Sequence, residues 1–391
     1  MSTLKVGAIR GVSASSDAIT VANDGTCTAN VTNNLSNRNL IINGAMQVAQ
    51  RGTSSTDQNY GAIDRFKIIY SGTDEAPTHS QVDVVAGQTP YTLGFKKAYR
   101  ITNGNQTSGA QASSRIELQT NLEGQDLAQS GWNFVSDSSD ITLSFWIKSS
   151  VSQTFASRLQ TQTAGANGSQ QRFKFNFALS ADTWTKVTKT IPGNANLAFA
   201  TNNQNGFRIS FFGFMGTTFT DSTTATDVWA NNTGGDRADD MTSTWFTTND
   251  ATLEITGVQL EVGSVATDFE HRSFAQELAL CQRYFNRYAT ETLNGHFFLA
   301  AGYNNSNPGA RGSWPFTVPM RAIPSLALSD LSHFAELGTG KAISSITLAD
   351  SGTGKNLTGL TVTFTSNSFA GFAHVIRAGN TSAYLQFDAE L

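Results

Sequence analysis

The sequence predicts an all-β protein, with a jelly-roll β-sandwich and a smaller C-terminal β domain joined by one amphipathic helix and preceded by an extended N-terminal arm. Short runs of alternating apolar residues, separated by Gly and Asn turns, recur along most of the 391 residues. This is the pattern of half-buried strands. One stretch after Val258 departs from it, because its apolar positions fall at helical spacing.

The arm comprises residues 1–36. Its short alternating pieces, such as Leu4–Ile9 and Ala18–Val21, contain too few large apolar residues to bury a core. We therefore expect this arm to be ordered only against partner chains or a docking surface.

Residues 37–270 form the predicted jelly-roll domain. Eight candidate strands separated by turns, with long polar loops between some of them, indicate a two-sheet sandwich. They are Ile63–Tyr70, Ala98–Thr102, Ser114–Thr120, Ile141–Ser149, Arg172–Ala178, Trp184–Ile191, Gly206–Phe214 and Ala251–Val262. Gly257 marks a change of phase in the last strand and predicts a bulge there. The longest loop, residues 217–250, is of the size that is usually functional or mobile.

Residues 271–289 form the predicted linking helix. Ser273 and Gln276 have the spacing of a capping box at its start. Apolar residues then recur at steps of four and three, which predicts one buried stripe that packs on a core or on copies of the chain. The stripe consists of Phe274, Leu278, Cys281, Phe285 and Tyr288.

Residues 290–391 form the predicted C-terminal β domain. Runs of strand-like sequence alternate with Gly and Asn turns over about a hundred residues, which suits a small all-β unit. The runs are His296–Ala301, Ser313–Val318, Ser325–Leu328, Leu360–Thr365, Gly371–Ile376 and Ala383–Phe387.

The composition limits the classes of function that the protein can have. Charged residues are only 14% of the chain, hydrophobic residues are 39%, and the net charge is −4. This polar but weakly charged composition is typical of all-β extracellular or virion proteins. Without a basic stripe we expect no nucleic-acid binding, and without a long apolar run we expect no membrane insertion. Cys27 and Cys281 lie too far apart in sequence for a disulfide framework or a zinc spacing, so we predict no metal and no cofactor.

Several motifs together resemble a family of bacteriophage tail-fibre-like virion proteins. They are NLIINGAMQVAQRG from Asn39, DRF from Asp64, QLEVGSVATDFEHRSFAQELALCQRYF from Gln259, PMRAIPSL from Pro319 and the terminal DAEL. The resemblance covers roughly residues 39–391, in order, and leaves the arm outside. The QLE…CQRY motif is its most specific part.

The resemblance implies that the first large domain has the fold of a carbohydrate-binding module. Ile141–Lys148 and Thr183–Val187 match two strands of that module, which makes Trp146 and Trp184 core residues. Such modules often carry adjacent aspartates that hold a structural calcium ion, whereas this chain has Thr256 and Gly257 there. Calcium takes several oxygen ligands, mostly from carboxylates, so the resemblance does not extend to that ion.

Sugar recognition by β-sandwiches commonly uses an exposed aromatic face and a few planar polar groups. On this basis the loop over residues 217–250 is the predicted glycan-binding region, and its rival interpretation is a loop that packs on a neighbouring subunit. Its candidate residues are Trp229, Trp245, Arg237, Asp239 and Asp240.

Nothing in the sequence indicates an enzyme. The five histidines are scattered and none lies in a nucleophile-elbow or HExxH context. Adjacent loop carboxylates such as Asp239 and Asp240 are interpreted as solvated turns rather than as a glycosidase pair.

These observations predict a non-enzymatic virion protein of tail-fibre type that attaches the particle to host-surface polysaccharide or lipopolysaccharide. The resemblance further implies a homotrimer whose arm contacts other phage tail or capsid proteins. The alternative is a purely structural role as a capsid decoration, vertex fibre or tail-collar component. A weaker third alternative is a polysaccharide depolymerase.

Overall fold

The computed structural model describes residues 6–12, 18–21, 27–29, 37–221, 223–289, 295–302, 309–337, 340–349, 353–365 and 373–391. Within the arm, β1 (Ala8–Ile9), β2 (Ile19–Val21) and β3 (Cys27–Ala29) form a small antiparallel sheet. Most of the remaining arm lies outside the described residues, and its role in docking stays a prediction.

Twelve strands build the β-sandwich, β4 to β15. In chain order they are β4 (Ser54–Ser55), β5 (Phe66–Ser71), β6 (Thr78–Asp83), β7 (Lys97–Thr102), β8 (Arg115–Glu123), β9 (Asp140–Ser149), β10 (Gln153–Thr161), β11 (Gln171–Leu179), β12 (Thr185–Pro192), β13 (Asn205–Met215), β14 (Trp229–Asn231) and β15 (Thr252–Val262). Between them lie α1 (Thr89–Thr92), α2 (Gly124–Ala128), a 3₁₀ turn (Thr217–Phe219) and α3 (Thr244–Thr247).

The strands form two six-stranded sheets. The front sheet has the order β14-β11-β10-β13-β8-β5, and the rear sheet has the order β12-β9-β15-β7-β6-β4. Their facing sides enclose one apolar core to which both contribute, for example Phe145 and Ile147 from β9 and Phe155 and Phe211 from β10 and β13. The all-β prediction of a jelly-roll sandwich is confirmed.

Two local features show how the sequence sets the strands. The bulge predicted at Gly257 is confirmed, because the pairing of β15 with β9 shifts between Thr256 and Gln259 and Gly257 has a φ of +63°. A β-carbon there would lie 2.7 Å from the Phe95 ring. By contrast, the sequence analysis did not identify β10, which occupies the centre of the front sheet.

The predicted linking helix is shorter than expected. The helix α4 spans Phe274–Gln282 and begins with the predicted capping box of Ser273 and Gln276. Strand β16 (Phe285–Ala289) follows it after a turn. Phe285 and Tyr288 therefore lie on a strand, and the prediction that they belong to a helical stripe is wrong.

The buried face of α4 also differs from the predicted stripe. Phe274 is 55% exposed and Leu278 is half-buried, whereas Glu277 and Cys281 are buried. Glu277 is retained inside because it accepts a hydrogen bond from the Asn43 backbone and lies 3.6 Å from the Arg272 guanidinium. The helix thus packs through a paired carboxylate and a thiol, which an apolar periodicity does not detect.

The C-terminal region adds β16 and eight further strands. They are β17 (His296–Gly302), β18 (Gly309–Pro315), β19 (Ser325–Leu328), β20 (Phe334–Glu336), β21 (Ile343–Leu348), β22 (Leu357–Phe364), β23 (Ala373–Ala378) and β24 (Tyr384–Asp388), with one 3₁₀ turn (Leu331–His333). The end sheets have the orders β16-β24-β19 and β20-β23-β17-β18-β22-β21 and share a second apolar core. Residues 371 and 372 of one predicted strand lie outside the described residues.

The junction between the sandwich and the end sheets is polar and buried. Arg65 is only 2% exposed and pairs with Glu390, while its guanidinium also lies 3.5 Å from the centre of the Tyr284 ring. Arg283 makes two 2.8 Å hydrogen bonds to the Glu123 carboxylate at the end of β8. Ion pairs of this kind fix the orientation of the elements that carry them.

The same junction brings together the motifs that carry the family resemblance. Arg321, from PMRAIPSL, donates to the carbonyl oxygens of Ala389 at 2.7 Å and Glu390 at 2.9 Å. Arg51, from the first motif, lies 2.9 Å from Asp388. These motif residues therefore hold the two parts of the chain together.

Candidate functional site

The outer face of the front sheet is polar but largely buried. Along β8, Ile116 and Leu118 face the apolar core, so the alternate residues Glu117 and Gln119 face outward. Glu117 is nevertheless 0% exposed and Gln119 only 3%. A face with buried polar side chains calls for partners, because an unpaired polar group away from water is costly.

Strand register aligns these side chains into a row across five strands. Lys67 pairs with Gln119, Gln119 with Ser210, Ser210 with Arg158, and Arg158 with Lys174. Each of these pairs is directly opposite, where side chains on one face lie within contact distance. The row runs straight across the sheet.

The next row is offset by two residues along each strand. It comprises Asn121, Arg208, Gln160 and Arg172, again as directly opposed pairs. Arginines and side-chain amides therefore alternate across the face. Planar groups of this kind can donate or accept two hydrogen bonds at once.

The parts of these rows on β5, β8, β13 and β10 line an open cavity of about 240 Å³, here called the front groove. The lining side chains are predominantly cationic or amide-bearing. They are Lys67, Ile69, Arg115, Gln119, Arg158, Gln160, Arg208, Asn232, Thr233, Gly234 and Arg237.

One buried carboxylate contacts a residue that lines the groove. Glu117 is 3.5 Å from Arg158. Burial acts to raise the pKa of Glu117, but the Arg158 charge, hydrogen bonds with Ser210 and Gln119 and the Arg237 charge together outweigh it and lower the pKa, so Glu117 is ionised at neutral pH. Burial lowers the pKa of Arg158 to about 10, with Glu117 opposing and Arg237 and Arg208 adding to the effect.

Several buried polar atoms of the groove have no hydrogen-bond partner among the described residues. They include Gln119 Oε1, Arg158 Nε and Asn232 Oδ1. Buried polar atoms in folded proteins are nearly always paired with protein, water or ligand. These atoms therefore call for water or another polar molecule as a partner.

A buried ionic latch closes one end of this face. Asp236, in the loop after β14, accepts hydrogen bonds from Arg172, from Lys174 at 2.6 Å and from Thr224 Oγ1 at 2.7 Å. Burial opposes ionisation of Asp236, but the Lys174 bond, the Thr224 bond and the Arg172 charge outweigh it and lower its pKa to about 2. The latch holds the predicted binding loop down onto β11.

Two of the predicted glycan-binding residues are not available for stacking. Trp245 is 0% exposed, and its Nε1 donates to the Thr252 carbonyl at 3.0 Å. Trp229 is half-buried, with its ring 5.5 Å from Phe173 and its Nε1 bonded to the Pro192 carbonyl at 2.7 Å. The prediction that these residues flank the binding loop as exposed aromatics is wrong, because both indoles pack into the sandwich.

The three charged candidates divide differently. Arg237 lines the front groove. Asp239 instead lies 2.7 Å from Lys174, and Asp240 accepts a 2.6 Å hydrogen bond from Thr220. Of the five predicted residues, Arg237 is thus the only one that the structure brings to the groove.

The sequence analysis missed Lys67, Gln119, Arg158, Gln160 and Arg208, which form most of the groove. One signal for them exists, namely charged or amide residues alternating with apolar ones in the middle of strands such as RIELQTN in β8. That signal does not separate a binding face from an ordinary solvated face.

A second cavity, here called the rear cleft, lies on the outer face of the rear sheet. Its volume is about 230 Å³, and aromatic side chains line much of it. Phe95, Phe269 and His271 pack together with ring centres 4.9 to 5.0 Å apart, and half-buried Trp146 lies beside them. The prediction that Trp146 and Trp184 are core residues is wrong, because both lie half-buried on the outer side of the sandwich.

Within the described ranges, no three His, Cys, Asp or Glu side chains are grouped as they would be around a metal ion. No helix in the described part of the chain is long and apolar enough to cross a membrane.

Comparisons with known proteins assign the chain to no family. No protein-family model matches the chain, and a search of curated proteins finds no match. Among solved structures, the enzymatically active domain of bacteriophage CBA120 tailspike protein 4 aligns with 57% of this chain at 11% identity and a TM-score of 0.32, and the chain spans only 21% of that protein.

Two other similar structures are carbohydrate-binding modules. The N-terminal cellulose-binding domain of Cellulomonas fimi β-1,4-glucanase C aligns over 56% of this chain and 99% of its own length, at 13% identity and a TM-score of 0.26. The family 11 module of a cellulosomal cellulase of Clostridium thermocellum aligns over 56% and 98%, at 13% identity and a TM-score of 0.26. Similarity at this level assigns no activity to the chain.

Proposed function

We propose that this chain is a non-catalytic virion protein of bacteriophage tail-fibre type that binds host-surface glycan in the front groove. The observation that carries the proposal is the alignment of polar side chains from four strands, β5, β8, β13 and β10, in an open groove. Hydroxyl-rich ligands are recognised by such convergent donors and acceptors. The motif resemblance from residue 39 onward supports the placement in a phage particle.

The groove chemistry favours binding over hydrolysis. Glycosidases generally need two carboxyl groups flanking the scissile bond, one of them with a raised pKa so that it acts as an acid. The described residues that line the groove include no Asp or Glu. The carboxyl group described at the groove is that of Glu117, which contacts the lining residue Arg158. Its lowered pKa and its contact with Arg158 suit a structural counter-ion.

The remaining parts of the proposal concern assembly. We propose that residues 1–36 dock the protein onto the particle and that three copies associate. Weak glycan sites gain avidity when several act together on one surface. A chain deleted for residues 1–36 is expected to bind glycan in solution but not to enter virions.

The test is binding of the purified full chain to a panel of bacterial surface polysaccharides, measured by biolayer interferometry. The double variant Gln119→Ala/Gln160→Ala removes groove amides from β8 and β10 and is expected to weaken binding at least about tenfold, since each lost hydrogen bond is worth roughly 1 kcal/mol. Thr188→Ala, at an exposed position on β12 of the rear sheet, is the matched control. Equal glycan binding by the double variant and the control would show that the front groove is not the binding site.

The structural alternative also has an observation in its favour. The residues that carry the family resemblance build the buried junction and not the groove. A chain used only for assembly would keep that junction and bind none of the polysaccharides in the panel. The same experiment therefore decides between the two functions.

A further inference from the structure

The front groove has an excess of positive charge. Five cationic side chains line it, namely Lys67, Arg115, Arg158, Arg208 and Arg237. Only Arg158 has a carboxylate within 4 Å among the described residues, and that carboxylate is Glu117 at 3.5 Å. Lys67 Nζ donates a hydrogen bond to the Leu391 carbonyl oxygen at 3.0 Å and is also stabilised by the Glu390 charge. Arg115, Arg208 and Arg237 line the cavity and form no ion pair with a carboxylate among the described residues.

The neighbouring part of the same sheet is different. Arg172 and Lys174, one strand further along, are fully buried and neutralised by Asp236, and Lys174 also pairs with Asp239. The two cations on this neighbouring strand are therefore matched by carboxylates of the protein itself, unlike the arginines Arg115, Arg208 and Arg237 of the groove.

The cations of the groove destabilise each other's charged forms. Burial, followed by the Arg208 charge, lowers the pKa of Lys67 to about 8. Burial also lowers the pKa of Arg237. The Glu117 charge acts in the opposite direction, and the Arg115 and Arg208 charges lower the pKa further. Like charges that depress each other's ionisation are relieved by a bound anion.

The guanidinium groups are positioned in advance. Arg237 lies 4.6 Å above the Phe219 ring and donates through Nε to the Gly234 carbonyl at 3.0 Å. Arg115 approaches the same ring at 5.4 Å, and Arg208 Nε lies 3.4 Å from Asn121 Oδ1. These contacts occupy the inner part of each side chain and leave the terminal nitrogens for a planar anion, which guanidinium binds through two parallel hydrogen bonds.

The lining also distinguishes the kind of anion. Side-chain amides from Gln119, Gln160 and Asn232 lie among the cations and suit sugar hydroxyls. No aromatic side chain is among the described residues that line the groove, whereas single-stranded nucleic acids are held by bases stacked on aromatic rings. The arrangement therefore favours a charged sugar over a nucleotide.

We infer that the front groove selects an anionic glycan, whose sugars carry carboxylate, sulfate or phosphate groups, and that Lys67, Arg208 and Arg237 bind those groups. This inference rests on the proposed glycan-binding function and adds the substrate class. The chain as a whole has a net charge of −4, so attraction of an anion depends on this local cluster and is screened by salt over about 10 Å.

The test compares ligands that differ only in charge. Binding of the full chain is measured by calorimetry with polygalacturonate, with the same polymer fully methyl-esterified, with dextran sulfate and with dextran. We expect each anionic polymer to bind at least about tenfold more tightly than its neutral counterpart, and the preference to shrink in high salt. The two pairs separate carboxylate from sulfate recognition.

Three variants locate the effect. Arg208→Gln and Lys67→Gln, at half-buried positions, are each expected to lower affinity for the anionic polymers at least about tenfold, because a hydrogen bond to a charged group is lost. Lys355→Gln, at an exposed position in the bend before β22, removes the same charge elsewhere and should change nothing. Thermal melts check that each variant is folded.

The outcomes separate the inference from the proposed function. Equal binding of charged and neutral polymers, or unchanged affinity in both groove variants, overturns the anionic preference and leaves glycan binding in place. An oligonucleotide that binds the groove as tightly as the acidic polymers at the same salt concentration also overturns it. Failure to bind any glycan, charged or neutral, on a broad array overturns both.

Discussion

The two outer faces of the sandwich carry different chemistry on the same strand pattern. The front groove is lined by cations and amides, whereas the rear cleft is lined by Phe95, Phe269, His271 and Trp146. On the front face, the groove residues of β5, β8, β10 and β13 alternate with the apolar core along each strand. On the rear face Trp146 alternates with the core along β9, whereas Phe95 precedes β7 and Phe269 and His271 follow β15. Alternation therefore identifies the outward residues of the strands but not the aromatic cluster of the rear cleft.

The largest expected effect concerns the latch beside the groove. Asp236→Ala should lower the free energy of unfolding by roughly 3–5 kcal/mol, because fully buried Arg172 loses its counter-ion. Denaturant melts measure this effect. Asp240→Ala, which removes an exposed carboxylate from the same loop, is the control and should cost less than about 1 kcal/mol. Similar costs for the two variants would show that the latch does not stabilise the front face.

The same carboxylate predicts a pH effect. The pKa of Asp236 is lowered from 3.8 to about 2 in the folded chain. A depressed carboxyl pKa contributes stability that is present above about pH 4 and is lost as pH falls towards 2. The contribution is at most about 2–3 kcal/mol, from about 1.4 kcal/mol per pKa unit.

Melts of the wild type and of Asp236→Asn between pH 2 and 5 isolate this contribution. The stability difference between them should shrink as the pH falls through that window. A difference that is constant with pH would contradict the assignment of the lowered pKa to Asp236.

A smaller effect is expected on the rear face. Trp146→Ala should cost less than about 2 kcal/mol, since the indole is half-buried on the outer side of β9. Phe145→Ala, one residue earlier and 0% exposed, should cost roughly 3–5 kcal/mol as a core aromatic. An equal loss in the free energy of unfolding for the two variants would show that Trp146 is a core residue and does not belong to the outer face.

Much of the fold could be predicted from the sequence. The alternation in strands such as β8, β9 and β13 and the phase change at Gly257 are local signals, and the structure shows a strand or a bulge at each. The capping box at Ser273 is also local. The end of α4 was not predicted, because Phe285 and Tyr288 continue a helical spacing although they pair with β24.

The site was predicted less well, for a physical reason. The prediction of exposed tryptophans was wrong because Trp229 and Trp245 each donate from Nε1 to a backbone carbonyl and pack the ring into the sandwich. The groove depends on the register of β5, β8, β13 and β10, which brings Lys67, Gln119 and Arg158 into one row across long sequence separations. Register between distant strands is a tertiary property that a single sequence does not display.

The most direct measurement for the central claim is a crystal structure of the full chain with a short oligogalacturonate. The account predicts the sugar in the front groove, with a carboxylate within hydrogen-bond distance of the Arg208 or Arg237 guanidinium and hydroxyls on the Gln119 and Gln160 amides. A sugar stacked on Trp146 in the rear cleft, with the front groove holding only water, would contradict it.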